Sequence, residues 1–280
     1  MKRILLFGII CICSYGTFAQ SGFFVKNTQI EKWYQEGENL ESEAKKAIQL
    51  TDFQSIVKSY NAKEADILPY FHFIDFNNNG ELDLLFDGKI GTQNYVFLFL
   101  KRENGYHVVL ENKGTIIQAN LPNEDNSLNL SIWHETCCNN YINSLSQWVC
   151  INTNNTSYFK LAAKSLIFRG TSLPHSRIKA PVKCTLITAS NLRLEPFVDK
   201  QRRISSNSLW EGNALGLYTV SATGTIYAEM RDKNNKFWYF VRMNNETGMH
   251  IHSNRFTQEA EDAENCFYYG WINSDDVQLE

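Results

Sequence analysis

Alternate oxygen-bearing side chains mark the segment Asp75-Phe76-Asn77-Asn78-Asn79-Gly80-Glu81-Leu82-Asp83-Leu84. Asp75, Asn77, Asn79, Glu81 and Asp83 recur at every second position, and Gly80 permits a sharp reversal. A second aspartate returns eight residues after the first. That spacing can wrap a hard cation such as calcium. Only Asp75 and Asp83 are carboxylates at positions that normally bind through side chains, so calcium would be held weakly and would serve structure rather than catalysis. The alternative is an Asn-Gly-rich β-turn whose Asp and Asn side chains cap their own backbone. A second set, His134-Glu135-Thr136-Cys137-Cys138, brings together a base, a carboxylate and two thiols, the makings of a zinc site or a nucleophilic cysteine. The HExxH spacing is absent, however, and adjacent cysteines on a strand point to opposite faces, which makes them a poor ligand pair. His250 and His252 can share a strand face, but no third ligand lies near them in the sequence.

The elements that must position these residues fall into two regions. Residues 28 to 60 read as helical. Thr28 with Glu31 and Thr51 with Gln54 are spaced as capping boxes, and Ile30, Trp33, Tyr34, Ala44, Ala47 and Ile48 recur at helical intervals. After Pro69 the pattern changes to short β-branched and aromatic runs broken by Gly and Asn: Tyr70 to Ile74, Tyr95 to Leu100, Tyr106 to Leu110, Leu128 to Trp133 and Leu145 to Asn152. One or two helices packed on an antiparallel meander are predicted. The cluster of Gly170, Ser172, Pro174, Ser176 and Pro181 between residues 169 and 183 reads as a stiff linker to a second β-rich region.

The first residues set the expected compartment. Lys2 and Arg3 precede the apolar run Ile4 to Cys13, and Thr17-Phe18-Ala19 supplies a small residue before a cut, the three parts of a secretory signal. The run is too short to span a bilayer, which needs roughly twenty apolar residues. The mature chain is predicted to begin at Gln20 and to be periplasmic or extracellular. Cleavage removes Lys2 and Arg3 and no acidic residue, taking the formal net charge from −3 to −5. Nucleic acid does not suit such a balance. Cys137, Cys138, Cys150, Cys184 and Cys266 remain, and in an oxidising compartment they read first as disulfide candidates. One expected bridge runs from Cys137 or Cys138 to Cys150 across a hairpin. Another joins Cys184 to Cys266 near the two ends of the C-terminal region, with the fifth cysteine buried or free.

Two resemblances sharpen the reading. The loop from Asp75 to Leu84 is similar to the Asp-x-Asn-x-Asp-Gly-x-x-Asp-Leu calcium loops of the FG-GAP/VCBS repeats, except that Asn79 replaces an aspartate and there is a single copy, which cannot build a propeller. Further on come Asn191-Leu192-Arg193-Leu194-Glu195-Pro196, an aromatic strand from Phe237 to Val241, and a closing Gly270-Trp271-Ile272-Asn273-Ser274. These resemble the opening, middle and closing strands of a bacterial SH3-like (SH3b) domain over about 100 of the 280 residues. The resemblance implies a small β-barrel at 184–280. The fold class expected for the whole chain is therefore α+β: a signal at 1–19, helices on a meander at 20–168, a linker at 169–183 and the barrel.

SH3-like domains of bacteria are often envelope-targeting modules, so the resemblance implies a non-catalytic protein that binds a cell-wall peptide, a glycan or an envelope protein. Along Phe237 to Val241 alternate side chains face opposite ways, and a small barrel buries one set unless another layer covers it. Trp210, Trp238, Tyr239, Tyr268 and Tyr269 are the candidate ligand-binding aromatics on that count, with burial under other segments as the alternative. No Ser elbow, phosphate loop or paired-carboxylate site is present in the sequence. Two other classes remain open. An immunity or inhibitor protein would bind a secreted toxin or hydrolase one to one. A hydrolase using His134, Glu135 and Cys137 or Cys138 would need a reduced, reachable thiol.

Overall fold

A computed structural model describes residues 34, 37–120, 128–136, 142–153, 156–200, 202–205, 208–244, 250–251 and 266–280, with the backbone alone at 202–205, 208–211 and 250–251. The expected signal with its cut at Ala19, the Thr28–Glu31 capping box, Cys137, Cys138 and His252 lie outside the described residues. Three short helices come first: α1 (Leu40–Ile48), α2 (Thr51–Ser59) and α3 (Glu64–Ile67). In α1, Glu41 and Glu43 stand in the first turn and Lys45 and Lys46 in the last, matching the helix dipole, while Ala44, Ala47 and Ile48 are buried. The expected capping box places Thr51 at the cap, but helix α2 already includes Thr51, and no side chain caps it. The residue before it, Leu50, is the cap, and its carbonyl accepts from the Gln54 amide.

Strands β1 (Phe71–Ile74), β2 (Asp83–Ile90), β3 (Gln93–Arg102) and β4 (Gly105–Lys113) form an antiparallel sheet in chain order. Its centre is the uninterrupted apolar run of β3. Tyr95, Phe97 and Phe99 pack with Phe53 and the other helix residues, while Val96, Leu98 and Leu100 face the opposite way into a second core. A run apolar on both faces is thus a strand covered on both faces.

The second cover is a larger sheet. It starts with β5 (Thr115–Asn120), β6 (Asn129–His134), β7 (Ile142–Asn152) and β8 (Ser157–Phe168). Next come β9 (Val182–Leu186), β10 (Ser190–Arg193), the separate hairpin β11 (Arg202–Ser205) and β12 (Ser208–Glu211), and β13 (Ala214–Tyr218). The series ends with β14 (Thr223–Arg231), β15 (Phe237–Asn244), β16 (His250–Ile251), β17 (Cys266–Asn273) and β18 (Val277–Leu279). The order is β18-β9-β14-β15-β17-β8-β7-β6-β5, with β10, β13 and β16 branching off at β17.

This topology corrects the expected fold class. The described chain is mostly β, and its strands do not close into a barrel. The expected meander divides between two sheets, and the run Ser157–Phe168 is a strand that the sequence reading did not predict. The reason lies in β17, whose free edge is shared by two neighbours. Over Cys266–Tyr269 it pairs in parallel with β8, and at Trp271 it meets Arg193 of β10. The C-terminal strands therefore open into one continuous sheet with β5–β8, and residues 169–181 of the expected linker at 169–183 join two strands of that sheet. Among the described residues no helix is long and apolar enough to cross a membrane.

The fork depends on a glycine. A Cβ at Gly270 would stand 2.7 Å from Leu192 Cγ and 2.8 Å from the Arg193 carbonyl oxygen. Since one neighbour is backbone, β10 must move away to admit it. Gly270→Ala is expected to lower the unfolding free energy by about 1–3 kcal/mol, read as a lower urea midpoint at unchanged slope.

Candidate functional site

At the fork, β10 and the closing strand bound a cavity of about 200 Å³ lined by Ala189, Ser190, Asn191, Arg193, Val198, Trp238, Asn273 and Asp276. The residues that carry the Asn-x-Arg opening of the SH3-like resemblance thus face the turn that follows its Gly-Trp-Ile closing. Each charged group has a neutral anchor. Arg193 Nη1 donates to Asn213 Oδ1 at 3.1 Å, and burial lowers the guanidinium pKa while the nearby Asp276 carboxylate raises it. Asp276 accepts from the Thr188 hydroxyl at 2.9 Å and from the Ser190 hydroxyl at 2.7 Å.

Asn213 organises one wall. It is fully buried, its Oδ1 also accepts from the Asp199 amide at 3.2 Å, and its Nδ2 donates to the Phe197 carbonyl at 2.7 Å. Its own carbonyl accepts from the Leu194 amide at 2.9 Å. Because one amide side chain holds both Arg193 and the turn at 197–199, the guanidinium is fixed relative to Val198. Asn213, Asn273 and Asp276 were not among the sequence candidates. The signal available was the quoted Asn191-x-Arg193, which served as a family marker and not as a site.

The predicted aromatic surface is not assembled. Tyr268 and Tyr269 are buried in cores on opposite faces of β17, and Tyr269 stacks on Phe240 with ring centres 5.5 Å apart. Trp238 is 2% exposed, lines the cavity, and donates its indole N–H to Asp232 Oδ2 at 3.4 Å. Tyr239 is half-buried on the face that carries Val241. Trp210 lies in β12 opposite Arg203, with its side chain outside the description. Both sides of the strand from Phe237 to Val241 are covered because the sheet continues past the C-terminal region and supplies the second layer. Phe237 at its edge is exposed, under the Arg231 guanidinium at 4.0 Å.

The expected cysteine chemistry changes as well. Cys150 and Cys184 are buried free thiols, and Cys266 is buried. Strands β14 and β15 stand between β9 and β17, so Cys184 and Cys266 are not on neighbouring strands and form no bridge. Cys150 lies six residues along β7 from Ser144, the partner of His134, which is roughly 20 Å at strand rise. It is therefore at the far end of the hairpin from the turn that follows His134. Burial pushes the Cys150 thiol up to about 12, with the Asp83 charge adding to it, and burial pushes Cys184 up to about 11. Protonated, enclosed thiols are poor nucleophiles.

The Asp75–Asp83 loop joins β1 to β2. Its oxygens serve its own backbone: Asp75 accepts from the Asn79 and Gly80 amides at 3.1 and 2.9 Å, Asn77 from Asn79 at 3.2 Å, and Asn79 from Glu81 at 2.8 Å. Asn78 and Gly80 adopt positive φ. These are the bonds that a self-capped turn makes. Asp83 differs from the others. It is fully buried, Oδ1 accepts from the Lys101 amide at 2.8 Å, and Oδ2 has no hydrogen-bond partner. Burial, with Asp75 and Glu81 adding to it and the Lys101 and Phe76 amides opposing it, raises its pKa to about 7. Among the described residues no three His, Cys, Asp or Glu side chains converge as a metal cage. No family model, curated protein or solved structure matches this chain.

Proposed function

We propose that this is an exported, non-catalytic binding protein of the cell envelope that holds a peptide, a glycan or an envelope protein at the cleft between Arg193 and Asp276. The observation that supports this reading is that the two charges face one cavity, each fixed by neutral groups and not joined to each other. Such a pair is preorganised for a ligand, since neither charge is spent in a direct ion pair with the other. A weakly held calcium ion bracing the β1–β2 loop belongs to the same reading, supported by the buried, unpartnered Asp83 oxygen.

The test is retention of the purified protein on insoluble peptidoglycan and on immobilised envelope extract, with calcium and with chelator. Wild-type protein is expected to be retained and Arg193→Gln to lose at least tenfold in retention at an unchanged melting temperature. Equal retention of both proteins would remove the cleft from the function. Retention by a single stoichiometric protein, with none on polymer, would favour the immunity or inhibitor reading.

A further inference from the structure

The chemistry of the cleft narrows its ligand, on the reading that the cleft is the binding site. Arg193 spends one N–H on Asn213, and Asp276 takes one hydroxyl on each oxygen. A guanidinium has five donors and a carboxylate about four acceptor sites, so both keep capacity to spare. No ion pair joins Arg193 to Asp276, although Asp276 is close enough to raise the guanidinium pKa. Asn213 draws the one toward the turn at 197–199, while Thr188 and Ser190 draw the other toward the start of β10.

A lone anion would satisfy Arg193 and be repelled by Asp276, and a lone cation the reverse. A group that carries both charges a few bonds apart satisfies the two together. The volume of about 200 Å³ is below the roughly 300 Å³ at which sites for drug-sized ligands begin, which suits a group of a few heavy atoms. Val198 and Trp238 supply an apolar flank.

We propose that the cleft binds a zwitterionic α-amino acid group, free or as the end of a larger molecule, with its carboxylate on Arg193 and its ammonium on Asp276. The ligand class is thus an amino acid with both charges intact, and Asn213 is a positioning residue that sets the direction of the guanidinium.

The probes are alanine of each hand, N-acetylalanine and alanine amide, titrated into the full chain while the indole N–H resonance of Trp238 and the heat of binding are followed. Alanine is expected to bind at least tenfold more tightly than either blocked form. Arg193→Gln should make alanine and its amide equivalent, and Asp276→Asn should make alanine and N-acetylalanine equivalent, with melting temperatures confirming that both variants are folded. Blocked forms that bind as tightly as alanine, or an absence of saturable alanine binding, would overturn the proposal. Arg193-dependent retention on envelope polymer together with no zwitterion preference would sink this ligand class alone, whereas failure of both assays would sink the cleft as a binding site too.

Discussion

Replacing Trp271 by alanine should lower the unfolding free energy by about 3–5 kcal/mol, enough to threaten a fold whose whole stability is on the order of 5–15 kcal/mol. Trp271 is fully buried, its ring packs on Phe240 with centres 5.2 Å apart, and its indole N–H donates to the Ser172 carbonyl at 2.6 Å. It therefore does two things at once. It fills the core at the fork, and it ties Ser172, in the segment that follows β8, to that core. Truncation leaves a cavity and an unsatisfied carbonyl together. Trp271→Phe separates the two effects, because most of the ring volume remains while the hydrogen bond is lost, at a cost of about 1–3 kcal/mol. Urea unfolding of the three proteins measures both steps. A loss under 1 kcal/mol for the alanine variant would mean that the strand fork is not packed as described.

Asp83 is expected to make stability fall as the pH rises from about 4 to about 7. The unfolded chain takes up this proton only below roughly pH 4, whereas the folded protein already holds it below about 7. Folding is therefore favoured by protonation. The contribution is fully present below the unfolded value and is lost as the pH climbs through the folded one, by at most about 4 kcal/mol. Asp83→Asn keeps the shape and the acceptor for the Lys101 amide while removing the charge. It should be more stable than wild type at pH 8, and the difference between the two should vanish near pH 4. Calcium at pH 8 should raise the melting temperature of wild type and leave Asp83→Asn unmoved, because the orphaned oxygen is the one that a cation would satisfy. A wild-type-to-variant difference that is flat across this pH range would contradict the assigned burial of the carboxyl.

Several parts of this architecture were legible in the residues. The apolar run from Tyr95 to Leu100 reads as a strand and is one, and the Asn-rich stretch from Asp75 to Asp83 reads as a tight loop with inward oxygens, which it is. Helix α2 starts one residue earlier than its capping box implies, because Leu50 and not Thr51 stands at the cap and the Leu50 carbonyl accepts from the Gln54 amide. These are local matters, settled by side-chain periodicity and turn chemistry within about ten residues.

What failed was long-range. The separation of Cys184 from Cys266 follows from β14 and β15 standing between their strands, and the open form of the C-terminal strands follows from the parallel pairing of Cys266–Tyr269 with Lys164–Ile167. Those partners lie about a hundred residues apart, and no propensity encodes which strand edge will meet which. The cleft has the same origin. Arg193 was visible as part of a motif, but Asn213 and Asp276 became its neighbours only when β10, β13 and the closing turn were brought together. The sequence by itself determined the strand-forming runs, the self-capped loop and the charged residues available. The tertiary structure alone decided which of those charges share a cavity and which aromatics are core, because burial is set by the layer that covers a face, and that layer comes from distant chain.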